Sequence, residues 1–165
     1  MTTTEGVDRL LAAARDTMAK VTDCWAATPS ADGGVNLRVV APIPGVPGED
    51  DWTIWLATGG GSRKAGEIRR SGRLTLGYQH HPDRAYVALI GRAALFEDRA
   101  EIRRRWVETW RIYFPRGPDD PDTVLVKVNV ERIELCVRGV SPEPFGSRPS
   151  VLQRDADRRW SVASA

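Results

Sequence analysis

The alternation of apolar and polar residues predicts a chain of short strands joined to three helices. Apolar residues recur at helical spacing near the start, at Val7, Leu10, Leu11, Ala14 and Met18, which predicts an amphipathic helix over residues 5–19. Alternation with a period of two, or a short apolar run, predicts strands over residues 21–28, 35–41, 51–58, 73–79, 85–96 and 124–130. Further helices are predicted over 62–70 and 99–113, and a last short strand near Trp160.

The connections between these elements indicate how the strands pair. Most are short and rich in Gly, Pro and Asp, as in hairpins, whereas parallel strands need long crossovers. The order therefore favours a mainly β protein with an antiparallel sheet or barrel and attached helices. No repeat or linker divides the sequence, so we expect a single domain over residues 1–165. It has an N-terminal helix over 5–19, a barrel core over 20–135 and an irregular tail over 139–165.

Composition and charge exclude several classes of protein. Hydrophobic residues make up 41% and charged residues 28%, a globular balance. The net charge is +2, from 24 basic and 22 acidic residues, which is too even for a nucleic-acid-binding or membrane-surface protein. The start of the chain lacks the features of a signal peptide, so we expect a cytoplasmic protein with Cys24 and Cys136 as buried thiols.

Residues 58–64, with the sequence TGGGSRK, form the most distinctive short segment. Three glycines end a predicted strand, and Ser62 is a good N-cap for the helix that follows. The first turn of a helix presents free N–H groups and a positive dipole, yet Arg63 and Lys64 add two cations there. A bound phosphate would compensate this charge; a flexible connector before a surface helix is the plainer interpretation. The segment matches neither a P-loop nor a dinucleotide fingerprint.

Arg38 is a second candidate for an anion site. It lies in the middle of the predicted strand 35–41, on the face opposite Val35, Leu37 and Val39. An outward-facing arginine on a half-solvated sheet is the plain interpretation.

Other groups of chemically active residues give weaker signals. His80 and His81 are adjacent in a predicted turn and have no partner at metal-ligand spacing, so no metal is expected. The acidic segment 118–122 lacks the glycine and glutamate of an EF-hand, which favours a plain loop. Ile102, Trp106, Trp110 and Tyr113 form a helical stripe that indicates core or dimer contact more than a lid over a cofactor.

Four segments together resemble the pyridoxamine 5'-phosphate oxidase-like family of FMN-binding split barrels. They are LRVVAPI (37–43), IWLATGGGSRKAGEI (54–68), YVALIGRAALFED (86–98) and WRIYFPRGPDDPDTVLVKV (110–128), the last of which resembles the general stress protein branch. The resemblance covers residues 20–135. It implies a six-stranded antiparallel split β-barrel and a homodimer with FMN in the clefts between subunits.

The resemblance also implies roles for individual residues. Arg38 and Lys64 would bind the FMN phosphate with Ser62 and Arg63 beside them. Val39 and Val40 would follow the edge of the isoalloxazine ring, and Ala57 and Thr58 would line the ribityl and ring side. Tyr86 lies near the position of a glutamine that contacts the flavin in the oxidase, and Arg148 is a further candidate contact.

The match to the oxidase itself fails at its substrate residues. The oxidase has an Arg-x-His pair near its C-terminus, but Ser150 stands two positions after Arg148. The resemblance therefore implies an FMN-dependent oxidoreductase with another small-molecule substrate. Three alternatives stay open: a flavin-binding stress protein without turnover, the same barrel with deazaflavin or haem, and an interaction domain without a ligand.

Overall fold

In the computed structural model, which describes residues 4–163, a long antiparallel sheet is combined with three α-helices. The helices are α1 (Thr4–Ala19), α2 (Arg63–Ser71) and α3 (Arg99–Arg105), and a 3-10 helix spans Glu108–Ile112. The strands are β1 (Cys24–Pro29), β2 (Val35–Val40), β3 (Thr53–Gly59), β4 (Arg73–His80), β5 (Ala85–Phe96), β6 (Thr123–Cys136), β7 (Ser150–Arg154) and β8 (Trp160–Ala163). The predicted fold class, mainly β with helices, is confirmed.

The strand pairing shows how the sheet curls. The strands follow the order β2-β1-β4-β5-β6-β7-β8, and β3 pairs with the first half of β6. Beyond the end of β2, the Ile43 N–H donates a 2.8 Å hydrogen bond to the Trp55 carbonyl of β3. This bridge joins the two edges of a six-strand barrel, β2-β1-β4-β5-β6-β3. The long strands β5 and β6 form the back of the barrel and change register between Ile90 and Gly91.

The inward faces of the strands form the main core, and two helices close its ends. Helix α1 contributes Val7, Leu10, Leu11 and Ala14 to this core, as its periodicity predicts. At the other end α2 inserts Ile68, which is 1% exposed. The remaining buried members include Leu56, Leu74, Leu76, Val87, Leu89, Val126, Val128, Ile133 and Leu135.

A second apolar cluster covers the outside of β3 and β6. Ile102 of α3 packs there with Ile43, Trp55 and Leu125. The predicted helix over 99–113 ends at Arg105, because Trp106 adopts an extended backbone with φ −60° and ψ 134°. This break turns Trp106 so that its ring packs against that of Trp110, with centroids 5.6 Å apart.

The tail contains more regular structure than the sequence predicts. Residues 150–154 form β7, which pairs with β6 and buries Val151 and Leu152, so the prediction of an irregular tail is wrong for this segment. The strand near Trp160 is confirmed as β8, which pairs with β7. In the turn between β7 and β8, Arg158 adopts a left-handed backbone conformation with φ 64°. Gly or Asn usually occupies such a position, so the sequence of this turn does not show the residue types that normally predict one.

Two further expectations concern the thiols and the membrane. Cys24 and Cys136 are both buried and unbonded, which confirms the prediction of two buried thiols. Within residues 4–163, no helix combines the length and apolar character needed to cross a bilayer.

Candidate functional site

The start of α2 is fixed by side chains of the segment that ends β3. The Ser62 hydroxyl accepts a 3.2 Å hydrogen bond from the Ala65 N–H, so Ser62 is the N-cap that the sequence predicts. The Thr58 hydroxyl lies 3.2 Å from that of Ser62. Together these contacts hold the first turn of α2 directly after the glycines.

The glycine turn over residues 59–61 is held by hydrogen bonds to Asp122. The Gly60 N–H donates to the Asp122 carbonyl at 2.6 Å, and the Gly61 N–H donates to Asp122 Oδ1 at 2.7 Å. A Cβ on Gly59 would lie 3.0 Å from Asp122 Oδ2. The glycines therefore make room for Asp122, which lies in the predicted plain loop 118–122, and the Gly60 and Gly61 N–H groups are used within the chain.

Arg38 faces inward, toward α2. Its Nη2 donates to Glu67 Oε2 at 2.8 Å, and its Nη1 donates to the Thr28 hydroxyl. The Thr28 hydroxyl donates to the same Glu67 carboxylate, and this hydrogen bond, followed by those from Arg38 and Asn36, lowers the pKa of Glu67. The predicted alternation of β2 is correct, but the outward interpretation of Arg38 is wrong.

Of Arg38, Arg63 and Lys64, only Lys64 has no ion-pair partner within residues 4–163. Its side chain is half-buried, and it makes neither a hydrogen bond nor an ion pair with the described residues. Burial lowers the pKa of Lys64, and the nearby charge of Arg38 lowers it further. Lys64 and Arg38 are therefore close enough to repel each other, and Glu67 forms ion pairs with Arg38 and Arg63 but not with Lys64.

Two backbone donors lie beside this lysine. Within the described part of the chain, the N–H groups of Arg63 and Lys64 donate to no acceptor, as is usual in the first turn of a helix. The Arg63 side chain is 70% exposed and lies 3.7 Å from Glu67 Oε1. An anion at the first turn of α2 would meet these two N–H groups and the positive end of the α2 dipole, and Lys64 belongs to the same turn.

The predicted ring contacts lie on two edges of the barrel. Strand β2 pairs with β1 along one edge only, so the other edge at Val39 and Val40 has no strand beside it within residues 4–163. On β3, Ala57 packs against the second cluster, outside the barrel, whereas Thr58 is buried beside Ser62. Ala57 and Thr58 therefore face opposite sides of their strand.

Tyr86 and Arg148 lie apart from this cluster within one chain. Tyr86 pairs with Gln79 and with Cys136, and its side chain is 40% exposed. Partial burial raises its pKa, and the nearby Cys136 and Glu134 add to that rise. Ser150 pairs with Leu135, so the exposed Arg148 lies beyond the end of β7 toward Cys136.

An apolar surface adjoins the cluster on the opposite side of β2. Val35, Leu37 and Val39 are 69%, 56% and 54% exposed, and Trp25, which pairs with Val39, is 48% exposed. We call these four residues the outer face. The predicted apolar side of β2 is thus turned away from the core.

Comparison with known proteins identifies relatives of this fold. A family described as "Pyridoxamine 5'-phosphate oxidase like" matches residues 11–136, more than half of the chain. No curated protein matches. Among solved structures, a pyridoxamine 5'-phosphate oxidase-related, FMN-binding protein from Nostoc punctiforme is 13% identical, with a TM-score of 0.70 over 98% of this chain and 96% of that one.

Two further structures extend the comparison. A protein from Clostridium acetobutylicum related to general stress protein 26 is 20% identical, with a TM-score of 0.69 over 79% of this chain and 90% of that one. PhzG from Burkholderia lata, in complex with tetrahydrophenazine-1-carboxylic acid, is 18% identical, with a TM-score of 0.66 over 96% and 89%. These likenesses establish the fold, and with the match over residues 11–136 they show that the chain belongs to the pyridoxamine 5'-phosphate oxidase-like family.

Proposed function

We propose that the protein is an FMN-binding flavoprotein that acts as an oxidoreductase on a small molecule. The observation that carries the proposal is Lys64, a half-buried ammonium beside Arg38 at the start of α2 with no partner in residues 4–163. A phosphate monoester, which carries a charge of about −1.5 to −2 at neutral pH, supplies the missing counter-charge. The family match and the FMN-binding relative from Nostoc punctiforme support this choice of ligand.

The donors at the site fit a phosphate group. Lys64 contributes a point charge, and the Arg63 and Lys64 N–H groups point out of the first turn of α2. Arg38 lies near Lys64, but its own charge is paired with Glu67. The Gly60 and Gly61 N–H groups are excluded from this set, because Asp122 accepts both.

The unpaired edge of β2 suits the ring of the same ligand. Val40 is in register with the hydrogen-bonded Ser30–Gly34 pair, so its backbone groups point to β1, whereas those of Val39 point to the free edge and are available to the polar atoms of an isoalloxazine ring. Bound FMN supplies two-electron redox chemistry, and the protein supplies orientation and positive charge. Because Glu67 pairs with Arg38, the charge of Lys64 keeps the region positive, which favours an anionic form of the cofactor.

A homodimer completes this proposal. Arg38 and the outer face lie on opposite sides of the same strand, so the free edge of β2 borders an exposed apolar surface. A second copy of the chain that covers the outer face also shields the ring edge of the ligand. Tyr86 and Arg148, which lie away from Lys64 within one chain, are then candidates to reach the site of the partner.

Replacement of Lys64 by methionine tests the phosphate site. Lys64→Met keeps the length of the side chain and removes its charge, so FMN should bind about 10- to 100-fold more weakly, the loss expected for one charge-assisted hydrogen bond. Quenching of flavin fluorescence on titration into flavin-free protein measures the dissociation constant. Riboflavin, which lacks the phosphate, should bind the variant and the original protein equally.

Arg70→Ala is the matched control. Arg70 lies on α2 as well, but in its last turn, where it donates to the Pro29 carbonyl at 2.7 Å. FMN affinity should be unchanged in this variant. If Lys64→Met binds FMN as tightly as the original protein, the phosphate is held elsewhere and the proposal fails. Steady turnover of the loaded protein with a reductant and an acceptor separates the oxidoreductase from a flavin-binding protein without turnover.

A further inference from the structure

A cavity of about 790 Å³ lies between the end of α1 and the loop over residues 42–51. We call the segment with the sequence PIPGVPGEDD the Pro/Gly loop. Small-molecule sites usually enclose about 300–1,000 Å³, so the cavity is large enough for a ligand of several rings. Ile54 and Tyr78 contribute to the wall from the barrel, and Met18 contributes from α1.

The uncharged part of the wall is mainly apolar. It includes Met18, Ile43, Val46 and Ile54, together with several prolines of the Pro/Gly loop. Tyr78 is 3% exposed, and burial raises its pKa, with the nearby Cys24 adding to the rise. The wall therefore offers contact area to an apolar ligand and few free polar side-chain groups.

Each charged side chain in the wall already has an ion-pair partner. Arg15 lies 3.2 Å from Asp51, and Asp50 accepts hydrogen bonds from both Nη atoms of Arg154, at 2.8 and 2.9 Å. Glu49 pairs with Arg105, whose side chain is 1% exposed. A charged ligand would have to compete with these pairs, whereas an uncharged ligand leaves them intact.

The wall of the cavity does not include the residues of the proposed phosphate site. None of Arg38, Ser62, Arg63 and Lys64 belongs to its wall. Its wall is formed where β3 begins and β4 ends, whereas α2 starts where β3 ends. Ligands at the two places would contact different residues.

We propose that this cavity binds a small, uncharged and largely aromatic or aliphatic molecule, independently of FMN. Direct binding of 2-naphthol, which is neutral at pH 7, tests this class of ligand, with 2-naphthoate as the anion of similar shape. Calorimetric titration should show binding of 2-naphthol and at least about tenfold weaker binding of 2-naphthoate. Equal affinities for the two probes, or no binding of 2-naphthol, would overturn the proposal.

A variant that fills the cavity locates the binding. Gly45 lies in the wall, has no atom within 4 Å of a built Cβ and does not need a positive φ, so Gly45→Phe adds a ring at the wall of the cavity without backbone strain. It should weaken 2-naphthol binding at least about tenfold. Ala100→Phe, at an exposed position of α3, is the control and should bind 2-naphthol normally. Unchanged affinity in folded Gly45→Phe would place the probe elsewhere and refute the assignment.

Two measurements separate this proposal from that for FMN. Lys64→Met should still bind 2-naphthol with unchanged affinity even where FMN affinity falls. Saturation with FMN should leave 2-naphthol binding in place. If FMN displaces 2-naphthol, the cavity belongs to the isoalloxazine ring, and the inference of an independent site is wrong.

Discussion

At Gly91 the two longest strands approach more closely than any side chain allows. A Cβ built on this residue would lie 2.3 Å from the Asn129 carbonyl oxygen and 2.9 Å from its carbon. The contact occurs where β5 and β6 change register. A glycine here is therefore a steric requirement, because backbone atoms of β6 cannot turn aside as a flexible side chain could.

We expect Gly91→Ala to lower the free energy of unfolding by about 1–3 kcal/mol, the usual cost of overpacking. Urea denaturation followed by circular dichroism measures the change. Gly66→Ala is the matched control: this glycine lies in the interior of α2 with nothing within 4 Å of a built Cβ. It should raise the stability by about 0.5–1 kcal/mol. If both variants changed the free energy of unfolding equally, the close approach of β5 and β6 at Gly91 would not require a glycine.

For single residues, the sequence predicts roles that depend on neighbouring residues better than roles that depend on residues far away in the chain. Ser62 as an N-cap follows from its own neighbours and is confirmed. Asp122 could not be found in this way, because its hydrogen bond to Gly61 spans 61 residues. The alternation of β2 correctly predicts which residues share a face of the strand. It does not predict which face points inward, because Arg38 turns inward to pair with the buried carboxylate of Glu67, which lies 29 residues further along the chain.

Among the elements, the Pro/Gly loop is held by ion pairs to three different parts of the fold. Glu49 pairs with Arg105 of α3, Asp51 with Arg15 of α1, and Asp50 with Arg154 and Arg158 of the β7–β8 hairpin. Partial burial of Asp50 acts to raise its pKa, but the hydrogen bonds from Arg154 and Arg158 outweigh it and lower the pKa to about 2. The C-terminal hairpin is thus tied to the wall of the cavity.

Asp50→Asn should lower the free energy of unfolding at pH 7 by about 1 kcal/mol, a value reduced for the solvent around this pair. Because the folded pKa of Asp50 lies below its ordinary value of 3.8, its stabilising effect is complete above about pH 4 and is lost as the pH falls through 2. The stability difference between the variant and the original protein should therefore shrink over that range in denaturation curves. Asp157→Asn, at an exposed acid in the same turn, is the control, and a difference independent of pH would contradict the assignment.

The elements that the sequence predicts well are those with strong periodicity. Helix α1 and the strands of the barrel follow their patterns closely. Strand β7 cannot be predicted from its sequence, because its five residues carry only a brief apolar run and its place is set by pairing with β6. The predicted third helix is too long, since the apolar stripe continues through Trp110 although the backbone turns at Trp106.

For the whole molecule, a single chain does not explain why the apolar residues of the outer face are exposed to solvent. Trp25, Val35, Leu37 and Val39 place large apolar side chains in solvent on neighbouring strands, although similar residues are buried elsewhere in the sheet. A second copy that meets this surface would bury it.

Leu37→Glu should therefore convert the proposed dimer into a monomer, because it places a charge at the centre of the apolar contact. Light scattering after size exclusion should show the mass fall from twice 18.3 kDa to 18.3 kDa. The exposed Ile112 of the 3-10 helix serves as the control site, and Ile112→Glu should leave the mass unchanged. A monomeric original protein, or a Leu37→Glu variant that keeps the doubled mass, would refute this interface.

The hydrogen bonds from the glycine turn to Asp122 have a consequence for the thermodynamics of ligand capture. Three consecutive glycines have more conformational freedom to lose than any other tripeptide, and freezing them upon association would weaken affinity. Here the Gly60 and Gly61 amides are already engaged by a carboxylate of the same chain. The entropy of ordering this segment is lost during folding, so the phosphate that we propose to bind at α2 would not have to order it again.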